Sequence, residues 1–371
     1  MKRIDALDVL RGVAILGTLG TNIWIFTAPG GPSEPFGLQK TVVETFLHFL
    51  TNGKFLGLLT LLFGVGLELQ YRSAVRKGLR WPGRYLWRAA LLFAEGVAHY
   101  VLIFEFDVLM GYALTSMIVA YLIGRSERVV RGWMIGAGAV HLLIVGLVTL
   151  LLLNAPAARP SGSTLYRDGT WPQQVVARLE GLAIYRIELI FIIPMGIVLF
   201  LAGSRLLRAG VFAPEGALLR RRLMIAGLGV AAPLNLLTSY AGPAWFAIDR
   251  YVLPPLVALG LLGLVTTIVL ETRGEPGLVR RGLADVGRAA LSCYVFQNVV
   301  ASFVCYGWGL GLAARLDWLR PWWVPVAWAG ICLLFVVLSS WWLRRFTRGP
   351  IELAWQWAYQ APFRTSVPAG K

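Results

Sequence analysis

The sequence predicts an all-α protein, a polytopic bundle of about ten transmembrane helices with both termini cytoplasmic. Three observations carry this. Hydrophobic residues make up 57% of the 371 and charged residues only 15%, with a mean hydropathy of +0.67. A soluble chain of this length needs a larger charged surface. Apolar segments follow one another through short charged connections, with no long polar block, which predicts one membrane domain over 1–349 and no soluble domain. Basic residues gather at the ends of those segments, where topology signals and lipid head-group contacts lie.

The elements follow in order. Lys2 and Arg3 precede the first apolar run, as in a signal peptide, but no small-x-small cleavage site follows, so a retained first helix is expected. Spans are expected over 9–26, 53–71, 87–104, 108–123, 133–153, 187–207, 222–239, 251–270, 286–312 and 323–343. The fourth is short, and the ninth is long enough to tilt or break. Gln39 to Thr51, with Glu44 and His48, either extends the second span or lies at the interface as a separate helix. The outer connection 154–182 is rich in Pro, Gly and Ser and reads as irregular. Residues 350–371 form a cytoplasmic interfacial tail, whose PIELAWQWAY stretch suits a helix lying on the membrane.

Orientation follows from Arg and Lys. They concentrate in 72–86, 124–132, 205–222, 271–285 and the tail, which places these connections in the cytoplasm. The connection 154–186, with four Arg, is the main exception. The net charge of +16 is spread over segment ends, so membrane lipids rather than nucleic acid are the expected partners. Cys293, Cys305 and Cys332 all lie in apolar segments and form neither a disulfide framework nor a metal pattern.

The most informative stretch is Arg88 to Ile123. It is apolar almost throughout, yet carries Glu95, His99, Glu105 and Asp107. Ionisable residues inside the membrane are costly and point to function. Arg88, Glu95 and His99 stand at i, i+7 and i+11, which puts them on one helix face. The stretch is too long for one span, so a helical hairpin turning at Glu105-Phe106-Asp107 is expected. A histidine and two carboxylates then meet at its outer end. The blander alternative is a pair of solvated loop acids and a histidine satisfied by a neighbouring carbonyl. In the ninth span, Tyr294, Asn298, Ser302 and Cys305 share one arc, with Arg288 and Ser292 on a nearby row. In the first, Asp8 and Arg11 are spaced to pair, and Gly12, Gly17 and Gly20 admit a close neighbour.

Several of these stretches together resemble a known family. Asp8-Val9-Leu10-Arg11-Gly12 followed by Asn22 looks like the first helix of the transmembrane acyltransferase superfamily. That group includes heparan glucosaminide N-acetyltransferase and, more remotely, acyltransferase-3 proteins. The nearer resemblance is to the DUF418 (YeiB-like) family of bacterial inner-membrane proteins. It rests on Lys54-Phe55-Leu56 with Leu62 to Gly66, and on Gly96-Val97-Ala98-His99 with Asp107-Val108-Leu109 and Tyr112-Ala113-Leu114. Gly287 to Ser292 with Tyr294 and Gln297, and Arg348-Gly349-Pro350-Ile351-Glu352, complete it. The chain departs from the pattern at Phe104-Glu105-Phe106, where members often carry Gly before the Asp. It also has no histidine between Asn22 and His48, so the reactive histidine of the remoter enzymes has no counterpart there.

The resemblance implies an integral-membrane acyl-group transferase, moving an acyl group to a hydroxyl or amine in a cavity in the outer half of the membrane. His99 is the candidate base, with Glu95 or Asp107 orienting its imidazole. Asn22, Glu105, Tyr112, Gln297 and Asn298 are the candidate substrate-binding residues, with Asn22 or Gln297 as an oxyanion donor. Arg11, Arg88 and Arg288 are candidates to contact the phosphates of an acyl-CoA or lipid-linked donor arriving from the cytoplasm. No tightly bound cofactor and no metal is expected. Two other readings stay open: a proton-coupled transporter, disfavoured by the lack of an inverted repeat, and a non-catalytic lipid-binding membrane protein.

Overall fold

The computed structural model describes residues 4–32, 41–155, 163–272 and 274–363. All regular structure in them is helical. α1 (Asp5–Phe26) and α2 (Val42–Thr51) lead into α3 (Lys54–Arg76). The hairpin α4 (Arg84–Leu102) and α5 (Leu109–Leu122) comes next, then the long α6 (Glu127–Asn154). The short helices α7 (Leu165–Asp168), α8 (Trp171–Glu180) and α9 (Leu182–Arg186) precede α10 (Leu189–Arg208). α11 (Ala217–Met224) and α12 (Ala232–Tyr240) are joined through a π-helical segment, Ile225–Ala231. α13 (Phe246–Tyr251) leads into α14 (Leu253–Glu271). The chain closes with α15 (Leu278–Arg288), α16 (Ala290–Cys305), α17 (Leu312–Arg315), α18 (Trp323–Trp342) and α19 (Pro350–Gln360).

Seven of the helical runs among the described residues are long and apolar enough to cross a membrane, or eight when α15 and α16 count as one broken span. The ten expected spans differ from this at α4 and α5. α4 is long enough, but Arg88, Glu95 and His99 lower its hydropathy, and α5 has only 14 residues. The expected ninth span breaks at Ala289, where the axis turns by 92°. The Gln39–Thr51 question resolves as α2, which meets α3 at Gly53; a φ of +69° there requires glycine. Gln39 itself, Lys2, Arg3, Arg273 and the tail from 364 lie outside the described residues.

α1 forms the centre. Its most apolar window is 83% buried, against 22% for α6, whose leucines and valines face outward as a lipid-facing helix must. Around α1 pack α3, α14, α15 and α16. The tightest crossing is α1 on α15. A Cβ on Gly12 would meet the Leu283 carbonyl oxygen at 2.0 Å, and one on Gly287 would meet that of Asp8 at 1.8 Å. Only glycine permits this backbone approach, the usual device where a membrane interface lacks a hydrophobic driving force.

Candidate functional site

α1, α4, the turn before α5 and α16 bring four polar residues into one line, of which His99, Asp107 and Asn298 are buried and Asn22 part-buried. α4 presents His99, the chain turns over 103–108, and Asp107 returns to meet it: Nδ1 of His99 lies 2.8 Å from Oδ2 of Asp107. Both side chains are sealed, with relative exposures of 1% and 0%. On the other side of the ring, Nε2 lies 3.2 Å from the Asn298 amide nitrogen. The Asn298 carbonyl oxygen accepts from the Asn22 amide at 3.3 Å. With the amides placed this way the protons have one consistent arrangement. Asn22 donates to Asn298, Asn298 donates to Nε2, and Nδ1–H donates to Asp107. A carboxylate on Nδ1 fixes the tautomer that leaves the Nε2 lone pair facing α16.

Asp107 is itself held. Its Oδ1 accepts the Met110 N–H at 3.2 Å at the start of α5, and Oδ2 also accepts from the Tyr294 hydroxyl at 3.4 Å. The Tyr294 ring lies 5.2 Å from that of His99. Gly96, one turn below on α4, lets α5 come this close; a Cβ there would meet Met110 N at 2.7 Å and Asp107 Oδ1 at 2.9 Å.

The other expected residues scatter. Glu95 makes no bond to His99. Helical side chains lean toward the helix N-terminus, and both Glu95 oxygens are shielded from solvent without a hydrogen-bond partner among the described residues. Gln297 donates to the Ile15 carbonyl at 3.2 Å, leaving its Oε1 buried and without a hydrogen-bond partner among the described residues. Tyr112 belongs to a different interface, with its hydroxyl 2.6 Å from Thr60 and 3.1 Å from the Leu56 carbonyl. Arg11 pairs loosely with Asp8 at 3.5 Å, and Arg288 with Asp285 at 3.3 Å. Arg88 lays its guanidinium over Trp355 of α19 at 4.7 Å. Among the described residues no set of three or more His, Cys, Asp or Glu side chains could hold a metal ion.

Glu105 turns away from His99 into an arrangement that sequence reasoning missed. It is fully buried, and its Oε1 is 2.8 Å from Nε of Arg178 and 2.5 Å from the Tyr166 hydroxyl. Burial, reinforced by the Glu105 charge, pushes the Tyr166 phenol well above its ordinary range, so it stays a donor. Arg178 also reaches the Val101 carbonyl, Trp171 the Leu102 carbonyl, and Arg186 the carbonyls of Glu105 and Asp107. The segment 164–188 is thereby strapped over the turn that carries Asp107. One signal was present: these arginines are the excess that made 154–186 an exception to the charge rule.

A second missed feature joins two of the quoted motifs. Glu352 accepts the Leu291 N–H at 2.8 Å and the Ser292 N–H at 3.3 Å, and the Ser292 hydroxyl bonds it as well. A third is a buried network away from His99, in which Asp249 accepts from Asn52 at 2.9 Å and Asn235 at 2.8 Å while Lys54 donates to Asn235 at 2.7 Å. An open apolar groove of about 720 Å³ between α6 and α10, lined by Trp133, Ile193 and Pro194 among others, lies on the lipid-facing surface and not at His99.

A family model described as "Protein of unknown function (DUF418)" matches residues 206–361. Three relatives align along nearly the whole chain. YeiB of Escherichia coli is 28% identical over 100% of this chain and 98% of its own length. YxaH of Bacillus subtilis is 25% identical over 96% and 94%. A 39.9 kDa protein of Bacillus acidopullulyticus, from the amylase 3' region, is 24% identical over 96% and 93%. The family match and the full-length likenesses to YeiB and YxaH support the YeiB-like DUF418 family. All three relatives are uncharacterised proteins, and no solved structure matches the chain. The segment that matches the DUF418 model supplies Tyr294, Asn298 and the Ser292–Glu352 contact. His99 and Asp107 come from the N-terminal half, which only the full-length relatives cover.

Proposed function

We propose that this chain is an integral-membrane acyl-group transferase of the bacterial cytoplasmic membrane, passing an acyl group to a hydroxyl or amine acceptor in the outer half of the bilayer. The observation that carries the reading is the Asn22–Asn298–His99–Asp107 line, buried from Asn298 to Asp107. A base needs an imidazole of fixed tautomer whose cation is stabilised once a proton arrives, and Asp107 on Nδ1 supplies both. Nε2 is covered by the Asn298 amide. An acceptor N–H or O–H reaches it by taking the place of that amide, which is then free to hydrogen-bond a developing oxyanion. Arg11 and Arg88, with Arg288 on the adjoining α15, are the residues to meet the phosphates of an acyl-CoA or lipid-linked donor from the cytoplasm. In this reading both termini are cytoplasmic, and α4 and α5 cross the membrane beside the longer helices.

The test is transfer of a radiolabelled acyl group from acyl-CoA by purified protein in nanodiscs, against mixed hydroxyl and amine acceptors. His99→Gln and Asp107→Asn are expected to abolish it with the protein still folded. Turnover unchanged in both variants would sink the reading. One observation favours the alternative of a proton-coupled transporter: Glu95, a carboxylate with no hydrogen-bond partner among the described residues, is also the makings of a proton relay. Substrate uptake into proteoliposomes, driven by a pH gradient and lost in Glu95→Gln, would decide for it.

A further inference from the structure

α10 uses glycines to lock itself into the bundle. A Cβ on Gly203 would meet the Leu61 carbonyl oxygen of α3 at 2.1 Å, and one on Gly196 would meet Thr115 of α5 at 3.0 Å. The glycines of α6, on its other side, are used differently. Gly132 and Gly136 are four residues apart, the spacing by which small residues bring two membrane helices together. Yet a Cβ at either meets no atom within 4 Å among the described residues. α6 is anchored elsewhere. A Cβ on Gly138 would lie 3.8 Å from Val198, His141 Nε2 lies 2.9 Å from the Tyr251 carbonyl oxygen, and Glu127 pairs with Arg205 at 2.5 Å. Beside these anchors stays the groove of about 720 Å³, lined by Trp133, Gly136, Val140, Ile144, Ile193 and Pro194. Pro194, inside α10, takes the helical donor from the Ile190 carbonyl and crowds it, so this turn packs poorly on a neighbour. Along α6 the groove runs from Gly132 to Ile144, about 18 Å by helical rise. One leaflet of hydrocarbon is about 15 Å deep. The end at Gly132 is basic: Arg128 and Arg131 precede it, both exposed and without an ion pair among the described residues, and Trp133 stands beside them. Arginines and a tryptophan at one end of a lipid-facing helix suit the head-group level.

We propose that the groove between α6 and α10 is a lipid site that holds one acyl chain of an anionic phospholipid, with the phosphate against Arg128 and Arg131. The site is separate from His99 and stands or falls independently of the acyltransferase reading. The length of the groove matches one chain, its lining is apolar, and the charge at one end selects the head group. The test uses phosphatidylglycerol carrying a diazirine on one acyl chain, and the matching phosphatidylcholine, each in nanodiscs with the purified protein. Labelled peptides are mapped by mass spectrometry after illumination. Phosphatidylglycerol should label 132–144 and 189–197 above the lipid-facing stretch 147–153 of α6, whose exposed leucines contact lipid without a groove. Phosphatidylcholine should label the groove less. Gly136→Leu fills the groove at a position where a Cβ meets nothing, and leucine is the better helix former, so the protein should stay folded. It should lower groove labelling about 10-fold, the equivalent of about two methylene groups excluded, and leave 147–153 unchanged. Arg128→Gln with Arg131→Gln should bring the two lipids level while the groove is still labelled. Even labelling along α6, groove labelling untouched by Gly136→Leu, or equal labelling of the wild-type groove by the two lipids would overturn the proposal.

Discussion

Ser292 and Glu352, sixty residues apart, cap each other's helices. The Glu352 carboxylate accepts the first free N–H groups of α16, and the Ser292 hydroxyl accepts the Ile351 N–H at the start of α19 at 2.9 Å. Each side chain thus satisfies donors that the other's helix leaves open. The 92° break at Ala289 strands those donors inside the protein, which is why a carboxylate is held there.

Removing either cap should destabilise the protein, and the two effects should not add. Ser292→Ala is expected to cost about 1 kcal/mol and Glu352→Ala about 2 kcal/mol. The double variant should lose less than the sum, since both singles break the same contact. Thermal unfolding of the four proteins in one detergent measures it; strict additivity would show the two residues to be independent.

At the candidate site, His99→Gln keeps a hydrogen-bonding group and removes proton transfer. Acyl transfer should fall on the order of 100- to 10,000-fold, with the circular dichroism spectrum unchanged. Asn298→Ala uncovers Nε2 and should leave more activity than His99→Gln. An Asn298→Ala protein as inactive as His99→Gln would mean that the amide does more than cover the ring.

The strap over the turn has its own energetics. Arg178→Ala leaves the buried Glu105 without its cation and should cost about 3 to 5 kcal/mol. Pairing it with Glu105→Gln should restore most of that loss. A double variant no more stable than Arg178→Ala would show that the strap is held by its backbone contacts and not by the ion pair.

Orientation is open to direct labelling. A cysteine placed at Asp168, an exposed position on α7, should react with an impermeant maleimide from outside intact cells. One at Lys77 should react only after permeabilisation. The reverse pattern would invert the bundle and move the His99 layer to the cytoplasmic half.

The helical fold, the membrane and the hairpin at Glu105-Phe106-Asp107 were legible because hydropathy and spacing are local quantities. Asn22 and Asn298 stood out for a related reason: an amide in an apolar helix is conspicuous. The partners of these residues were not legible. Periodicity says which face of a helix a residue occupies but not which helix it meets, so Tyr112 was grouped with His99 although it faces α3. Glu105 and Asp107, two residues apart, looked alike in sequence. Their opposite destinies depend on Arg178, which arrives on α8, more than seventy residues on. Either Glu95 or Asp107 was expected to orient the imidazole; the backward lean of helical side chains and the return of Asp107 gave that place to Asp107.

The 14 residues of α5 reach only about 21 Å, against a hydrocarbon slab of about 30 Å. The turn that precedes α5 lies under the 164–188 segment, with Glu105 and Asp107 0% and 1% exposed. Protein therefore closes the hairpin where a longer helix would have carried it outward, and the His99 imidazole is sealed by a second stretch of chain.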